Sequence, residues 1–245
     1  MFELSVEGSL ARLRLSRPEA RNAIPADQWE PLAAAARHAV ARGARLLILE
    51  GSREAFCAGA DLADFASFTD DPAAVARFRA AMRAGIDGVA ELPIATIGFI
   101  EGPCFGAGVA LAMACDIRVA TEGARFAITP AKFGISYPQE DVARLVALVG
   151  PGQAARLLLG AQTIDAAEAL RIGLVDLGPD GAEPALHALT SAILANSAQS
   201  IGALKARLGL AARGVSSDEG QDRSFDALFG CDEFAARLAA LRPPR

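Results

Sequence analysis

Apolar and polar residues alternate at the start of the chain, with Phe2, Leu4 and Val6 on one face and Glu3, Ser5 and Glu7 on the other. After Gly8 and Ser9 the alternation resumes through Arg12, Leu13, Arg14 and Leu15, which reads as a β-hairpin. From Asp27 the period lengthens to three and four residues through Trp29, Leu32, Ala33, Ala36, Ala39 and Val40. Asp27 and Glu30 have capping-box spacing, so a helix ending near Gly43 is expected. Residues 46–49 form a short continuous apolar run, the pattern of a buried strand. It empties into the turn-rich GSREAFCAGADL, and helical spacing returns around residues 72–90.

The same grammar then repeats. Residues 94–100 read as a buried strand, EGPCFGAG as a small-residue turn, GVALAMAC as a tightly packed helix, and 116–120 as a further strand. This repetition predicts an α/β architecture. Helical spacing dominates the rest, in DVARLVALVG, residues 152–160, AAEALRIGL and the stretch from Glu183 to about Arg213. With no Pro/Ser-rich linker before the helical end, the expected organisation is a core over 1–195 extended by a helical region over 196–245.

Composition narrows the function classes. The 245 residues are 52% hydrophobic and 22% charged, enough for a large buried core. With 24 basic against 29 acidic residues the net charge is -5, which offers no field for a nucleic-acid backbone or an anionic membrane surface. Cys57, Cys104, Cys115 and Cys231 are too far apart for a CxxC metal knuckle and too few for a disulfide framework, so reduced thiols are expected. The N-terminus lacks a basic segment followed by an apolar run, and a cytoplasmic chain without a targeting signal is the expectation.

The candidate chemistry lies in the two glycine- and alanine-rich turns between strand and helix. Small residues there let backbone N–H groups approach a ligand, and two such donors stabilise the charge that develops when a thioester becomes an enolate. Close helix packing alone also calls for small residues, and pattern does not separate the two readings.

The runs RPEARNAI (17–24), AFCAGADL (55–62), GPCFGAGVALAMACDIRVAT (102–121) and ARFAITPAKFGI (124–135), in this order, resemble the signature of the enoyl-CoA hydratase/isomerase (crotonase) superfamily. The resemblance implies a crotonase-like spiral of repeated ββα units with a helical C-terminal region, assembled as a homotrimer or a dimer of trimers. It implies an acyl-CoA thioester as substrate, with no metal and no cofactor beyond the coenzyme A moiety. The oxyanion-hole N–H groups fall on Ala60 and Ala107, the latter a position where the family more usually has glycine. The coenzyme A contacts fall on Ala20, Arg21, Ala58, Gly59, Ala60, Asp61 and Leu62, with Arg17 ranked behind Arg21 for the phosphates.

The same comparison shows where the pattern breaks. The two hydratase glutamates fall on Ala110 and Pro130, neither of which transfers a proton. Related isomerases and dehalogenases carry an acid near the position of Pro138, and Glu140, two residues on, is the candidate general base. Glu140 and Asp141 equally suit the acidic first turn of a helix. Asp61 and Asp64 read as caps or solvated groups, and Asp116 as structural. Ser136 and Tyr137 offer hydroxyls in the same loop, where packing or loop hydrogen bonding competes with an acyl contact. His38 and His187 fall in alanine-rich helical stretches and read as exposed. Phe65, Phe68, Phe78, Met82 and Phe133 suit either an acyl pocket or, by their spacing, the core.

The reaction expected from this set is enoyl-CoA isomerisation through a stabilised thioester enolate. Decarboxylation or another enolate reaction, and acyl-CoA binding without catalysis, are the alternatives. Tight coenzyme A binding without turnover and without an effect of Glu140→Gln would favour the last. An RNA-binding role needs a basic helix face, and the surroundings of Lys205 and Arg207 are too lightly charged for one.

Overall fold

The computed structural model describes residues 1–68 and 71–240. Residues 241–245 of the expected helical region over 196–245 therefore lie outside the described residues. Strands β1 (Phe2–Glu7) and β2 (Leu10–Leu15) form the expected hairpin, pairing antiparallel from Phe2 opposite Leu15 to Glu7 opposite Leu10. Helix α1 (Trp29–Ala41) buries Trp29, Leu32, Ala33, Ala36 and Ala39, the apolar stripe read from the sequence. The capping box does not form. A short 3-10 turn over Ala26–Gln28 takes up Asp27, and Gln28 stands at the helix boundary without a side-chain cap. The Ala26 N–H is instead accepted by Asp64, 2.7 Å away, a long-range bond that sequence spacing does not encode.

Strand β3 (Leu46–Glu50) is buried along its whole length, and helix α2 (Pro72–Ala90) begins at Asp71, whose carboxylate accepts from the Ala73 N–H. Strand β4 (Ala95–Ile100) is equally buried, as parallel strands covered on both faces must be. The short strand β5 (Pro103–Phe105) leads into helix α3 (Ala107–Ala114), followed by β6 (Ile117–Ala120) and β7 (Arg125–Ala127). The strands β1-β2-β3-β4-β6 make one sheet, parallel from β2 onward.

Helix α4 (Gln139–Gly160) contains both DVARLVALVG and residues 152–160, and breaks at Gly150, which has φ 73° ahead of Pro151. Strand β8 (Ile164–Asp165) and helix α5 (Ala166–Arg171) follow. A second sheet, β5-β7-β8, had no counterpart in the sequence reading because strands of two or three residues are too short to display an alternation.

The stretch from Glu183 to Arg213 is two helices, α6 (Ala182–Ala195) and α7 (Ala198–Ala212). Ser197 interrupts it by accepting the Ser200 N–H, an N-cap of its own. Helix α7 is tied to the sheet by Lys205, whose ammonium donates to the Ile94 carbonyl at 2.9 Å and pairs with Asp116 at 2.9 Å. Asp116 also accepts from the Thr96 N–H and hydroxyl, so it is the structural residue expected. Helices α8 (Glu219–Phe229) and α9 (Asp232–Ala240) complete the described chain, and Ser197 donates to Glu233 of α9 at 2.6 Å.

Candidate active site

The two small-residue turns meet. Cys57 and Cys104 form a parallel bridge in which the Cys57 N–H donates to Pro103 at 3.1 Å and the Phe105 N–H donates back to Cys57 at 2.9 Å. A Cβ built on Gly59, which has φ +105°, would stand 2.8 Å from the Phe105 carbonyl oxygen and 3.2 Å from the Ala107 nitrogen. A Cβ has no room there and the backbone angle is strained for any L side chain, so glycine is required on both counts. One turn beyond, a Cβ on Gly108 would meet the Cys57 carbonyl oxygen at 2.3 Å. The pair of glycines is thus what lets residues 57–60 lie against the start of α3.

Ala60 and Ala107 are half-buried, and among the described residues neither N–H donates to a protein acceptor. For Ala107 this follows from its place at the start of α3, where the first N–H groups of a helix have no intrahelical partner. Two unspent donors on turns in contact are the arrangement needed to hold a developing oxyanion.

Residues 17–24 clamp the first turn. Ala58 donates to the Arg21 carbonyl at 2.9 Å, Ile24 to Gly59 at 2.8 Å and Asp61 to Ile24 at 3.0 Å. Asn22 is fully buried with φ +58°; its amide nitrogen donates to Ala55 at 2.8 Å and Phe56 at 3.3 Å, while its oxygen accepts the Arg17 N–H at 2.8 Å. Sequence reasoning did not single out Asn22. Its signal was present in the motif, since asparagine is among the few side chains that tolerate a left-handed backbone.

Of the two arginines considered for phosphates, Arg17 is committed to Asp61 in an ion pair of 2.5 Å and to the Ala23 carbonyl. Asp61 is thereby a partner of Arg17, and its carboxyl lies below the ordinary range because the Ala63 N–H and then Arg17 stabilise the charge. Arg21 is exposed and has no ion pair among the described residues. Ala20 is half-buried beside it, and Leu62 is exposed at 53%.

The wall beyond the turns has no glutamate at either hydratase position. Ala110 is fully buried in α3, and Pro130 opens a 3-10 turn over Pro130–Phe133. Tyr137, from the loop before α4, donates its hydroxyl to the Gly106 carbonyl at 3.0 Å. The neighbouring acids part company. Asp141 is 0% exposed and clamped by Arg83 at 2.8 Å and Arg144 at 3.4 Å, and Asp87 joins both arginines into a four-charge cluster linking α2 and α4. Burial pushes the Asp141 carboxyl above its ordinary value against the pull of Arg83 and Arg144. Glu140 is exposed, has no ion pair among the described residues, and lines a shallow cavity of about 150 Å³ with Arg79, Ala80, Met82, Arg83 and Pro138.

Other candidates fall away from chemistry. Burial pushes the Cys57 thiol up to about 12 despite the Gly59 N–H, and the Cys104 thiol is raised well above its usual value, so neither is a thiolate near neutral pH. All four cysteines are unpaired, as expected. His38 and His187 are exposed. Phe65, Phe68 and Phe78 form a half-buried ring cluster with centroids 5.1 to 5.9 Å apart, while Met82 is in the core. Phe133, for which core packing was one reading, is 53% exposed.

A family model described as enoyl-CoA hydratase/isomerase matches residues 5–217. The probable enoyl-CoA hydratase echA6 of Mycobacterium tuberculosis is 36% identical over 176 residues, covering 72% of this chain and 70% of that protein. Among solved structures, an enoyl-CoA hydratase/isomerase family protein from Hyphomonas neptunium aligns with a TM-score of 0.91 and 32% identity over 100% of this chain and 96% of its own. An enoyl-CoA hydratase from Thermobifida fusca in complex with CoA gives 0.80 and 31% over 98% of this chain and 93% of its own. Together with the paired turns and their small residues, these matches place the fold: the chain belongs to the enoyl-CoA hydratase/isomerase family.

Proposed function

We propose that the chain binds an acyl-CoA thioester across the two turns and stabilises its enolate through the Ala60 and Ala107 N–H groups. The observation that carries this reading is the pair of unspent donors on turns held together by the Cys57–Cys104 bridge. The Thermobifida fusca relative was solved with CoA and with acetoacetyl-CoA, which supports the same ligand class here. The coenzyme A segment runs over Ala20, Arg21, Ala58, Gly59, Ala60, Asp61 and Leu62, with Arg21 free to meet phosphate and Asp61 holding Arg17 in place.

The first reaction to assay is conversion of a 3-enoyl to a 2-enoyl thioester. Glu140 takes a C2 proton, the electron pair moves into the thioester carbonyl, and the two N–H groups hold the resulting oxyanion. The same proton returns at C4 as the carbonyl re-forms. Glu140 suits this role better than Asp141 because its carboxylate has no ion pair among the described residues, whereas Asp141 is bound by arginines. Glu140→Gln is expected to lower kcat roughly 10²-fold or more with little change in coenzyme A affinity. Unchanged turnover in that variant removes Glu140 from the reaction.

Decarboxylation is the second reading, favoured by the absence of a carboxylate at the positions of Ala110 and Pro130. Loss of CO₂ leaves its electron pair on C2 and needs the oxyanion donors but no protein base. Carbon dioxide release from malonyl-type thioesters, insensitive to Glu140→Gln, distinguishes it. Assembly of copies, as a trimer or dimer of trimers, is supported by the exposed Phe225, Phe229, Phe234 and Leu238 on α8 and α9, and sedimentation of the purified protein tests it.

A further inference from the structure

The Ala107 N–H and the Gly106 carbonyl belong to one peptide group, so whatever binds the carbonyl acts on the donor. The Gly106 oxygen accepts the Tyr137 hydroxyl at 3.0 Å, the Val109 N–H at 3.0 Å and the Ala110 N–H at 3.4 Å. The last of these is the first intrahelical bond of α3. A side chain thus donates to the same carbonyl as the opening turn of the helix. Gly106 has φ +51° and ψ -118°, a conformation that favours glycine, and a Cβ there would touch only Thr129 at 3.7 Å. The orientation of this peptide is held by three hydrogen bonds to its oxygen, one of them from Tyr137. Burial, with Asp141 and Cys104 adding to it, keeps the phenol protonated well past its usual range, so the O–H remains a donor at any ordinary working pH.

We infer that Tyr137 is a positioning residue of the oxyanion hole: its hydroxyl orients and polarises the Gly106–Ala107 peptide and so strengthens the Ala107 N–H toward the thioester oxygen. A donor on the carbonyl draws charge through the amide and makes the opposite N–H a stronger donor, the cooperativity of hydrogen-bond chains. This rests on the proposed thioester site.

Because Tyr137 is the chain's only tyrosine, uniform incorporation of 3-fluorotyrosine alters this hydroxyl alone, making it a stronger donor without removing it. The readout is the absorption shift of bound 2,4-hexadienoyl-CoA, which reports polarisation of the thioester carbonyl. The fluorinated protein is expected to enlarge the red shift and Tyr137→Phe to shrink it, with the hexadienoyl-CoA Kd changing less than about threefold. In whichever reaction the protein proves to catalyse, Tyr137→Phe is expected to lower kcat roughly tenfold at nearly constant KM. Thermal unfolding of both proteins accompanies the spectra, and the fluorinated protein serves if the Phe variant fails to fold. A normal red shift in the wild type that neither change alters overturns the role of Tyr137 and leaves the thioester site standing. Binding by the wild type with no red shift overturns both.

Discussion

Adding one methyl group at Gly108 tests whether the contact between the two turns is what makes the site. A Cβ at this position would lie 2.3 Å from the Cys57 carbonyl oxygen and 3.0 Å from the Cys57 Cβ, where real contacts stay beyond 3.0 Å. The turn must therefore retreat by about 0.7 Å, more than the roughly 0.5 Å within which a binding constellation has to be held. Alanine gains about 1 kcal/mol over glycine in a helix interior, whereas forcing a carbon against fixed backbone costs about 1–3 kcal/mol or more. Gly108→Ala is thus expected to lower stability by about 2 kcal/mol net at the upper end of that range, or roughly 4–8 °C in Tm for a chain of this size. It should also abolish the red shift of bound hexadienoyl-CoA. The control is Gly98→Ala in β4, where a Cβ would meet the Cys115 sulfur at an ordinary 3.5 Å, so Tm should hold or rise slightly. If Gly108→Ala melts with the wild type and still polarises the chromophore, the steric argument for paired turns is wrong.

Two further perturbations probe the supports of the site. Asn22→Ala removes the bonds to Ala55, Phe56 and the Arg17 N–H and leaves alanine at φ +58°, so a loss of about 3 kcal/mol in urea unfolding is expected, and a loss below about 1 kcal/mol would show that other contacts hold the turn. Burial holds the Asp141 carboxyl above its ordinary 3.8, so the folded chain binds that proton more tightly than the unfolded chain. The stability this group contributes is therefore full below pH 3.8 and is lost as the pH rises through the raised folded value. Asp141→Asn should remove that fall from the pH profile of the urea midpoint, and a profile unchanged in shape would mean the proton is not taken up there.

The large elements were legible because each has a period that the sequence displays. The alternation of β1 and β2, the apolar runs of β3 and β4 and the stripe of α1 all stand where the pattern places them. The errors arise where a distant residue decides. Asp27 has capping spacing, yet Asp64 from the next turn takes the N–H at that helix entrance, a partner 38 residues away. The break at Ser197 was hidden because apolar spacing continues through it while one hydroxyl resets the helix. At the site, the small residues flagged both turns, but not that Gly108 exists to admit the Cys57 carbonyl. Glu140 and Asp141 are adjacent and chemically alike in the sequence; only the placement of Arg83 and Arg144 buries one in an ion cluster and leaves the other exposed.

Both unspent N–H groups at the junction of the turns belong to the main chain, and that shapes what substitution can reach. Exchanging the alanine at 60 or 107 for another residue leaves an amide proton in place, because every residue but proline supplies one. Proton transfer, by contrast, depends on the side chain itself, and the two positions that the family resemblance assigns to glutamates here carry Ala110 and Pro130. On the thioester site proposed above, such a scaffold separates inheritance from invention: the grip on the carbonyl would be carried by conformation, which point changes seldom erase, and the fate of the carbon skeleton by a few side chains that can be exchanged one at a time.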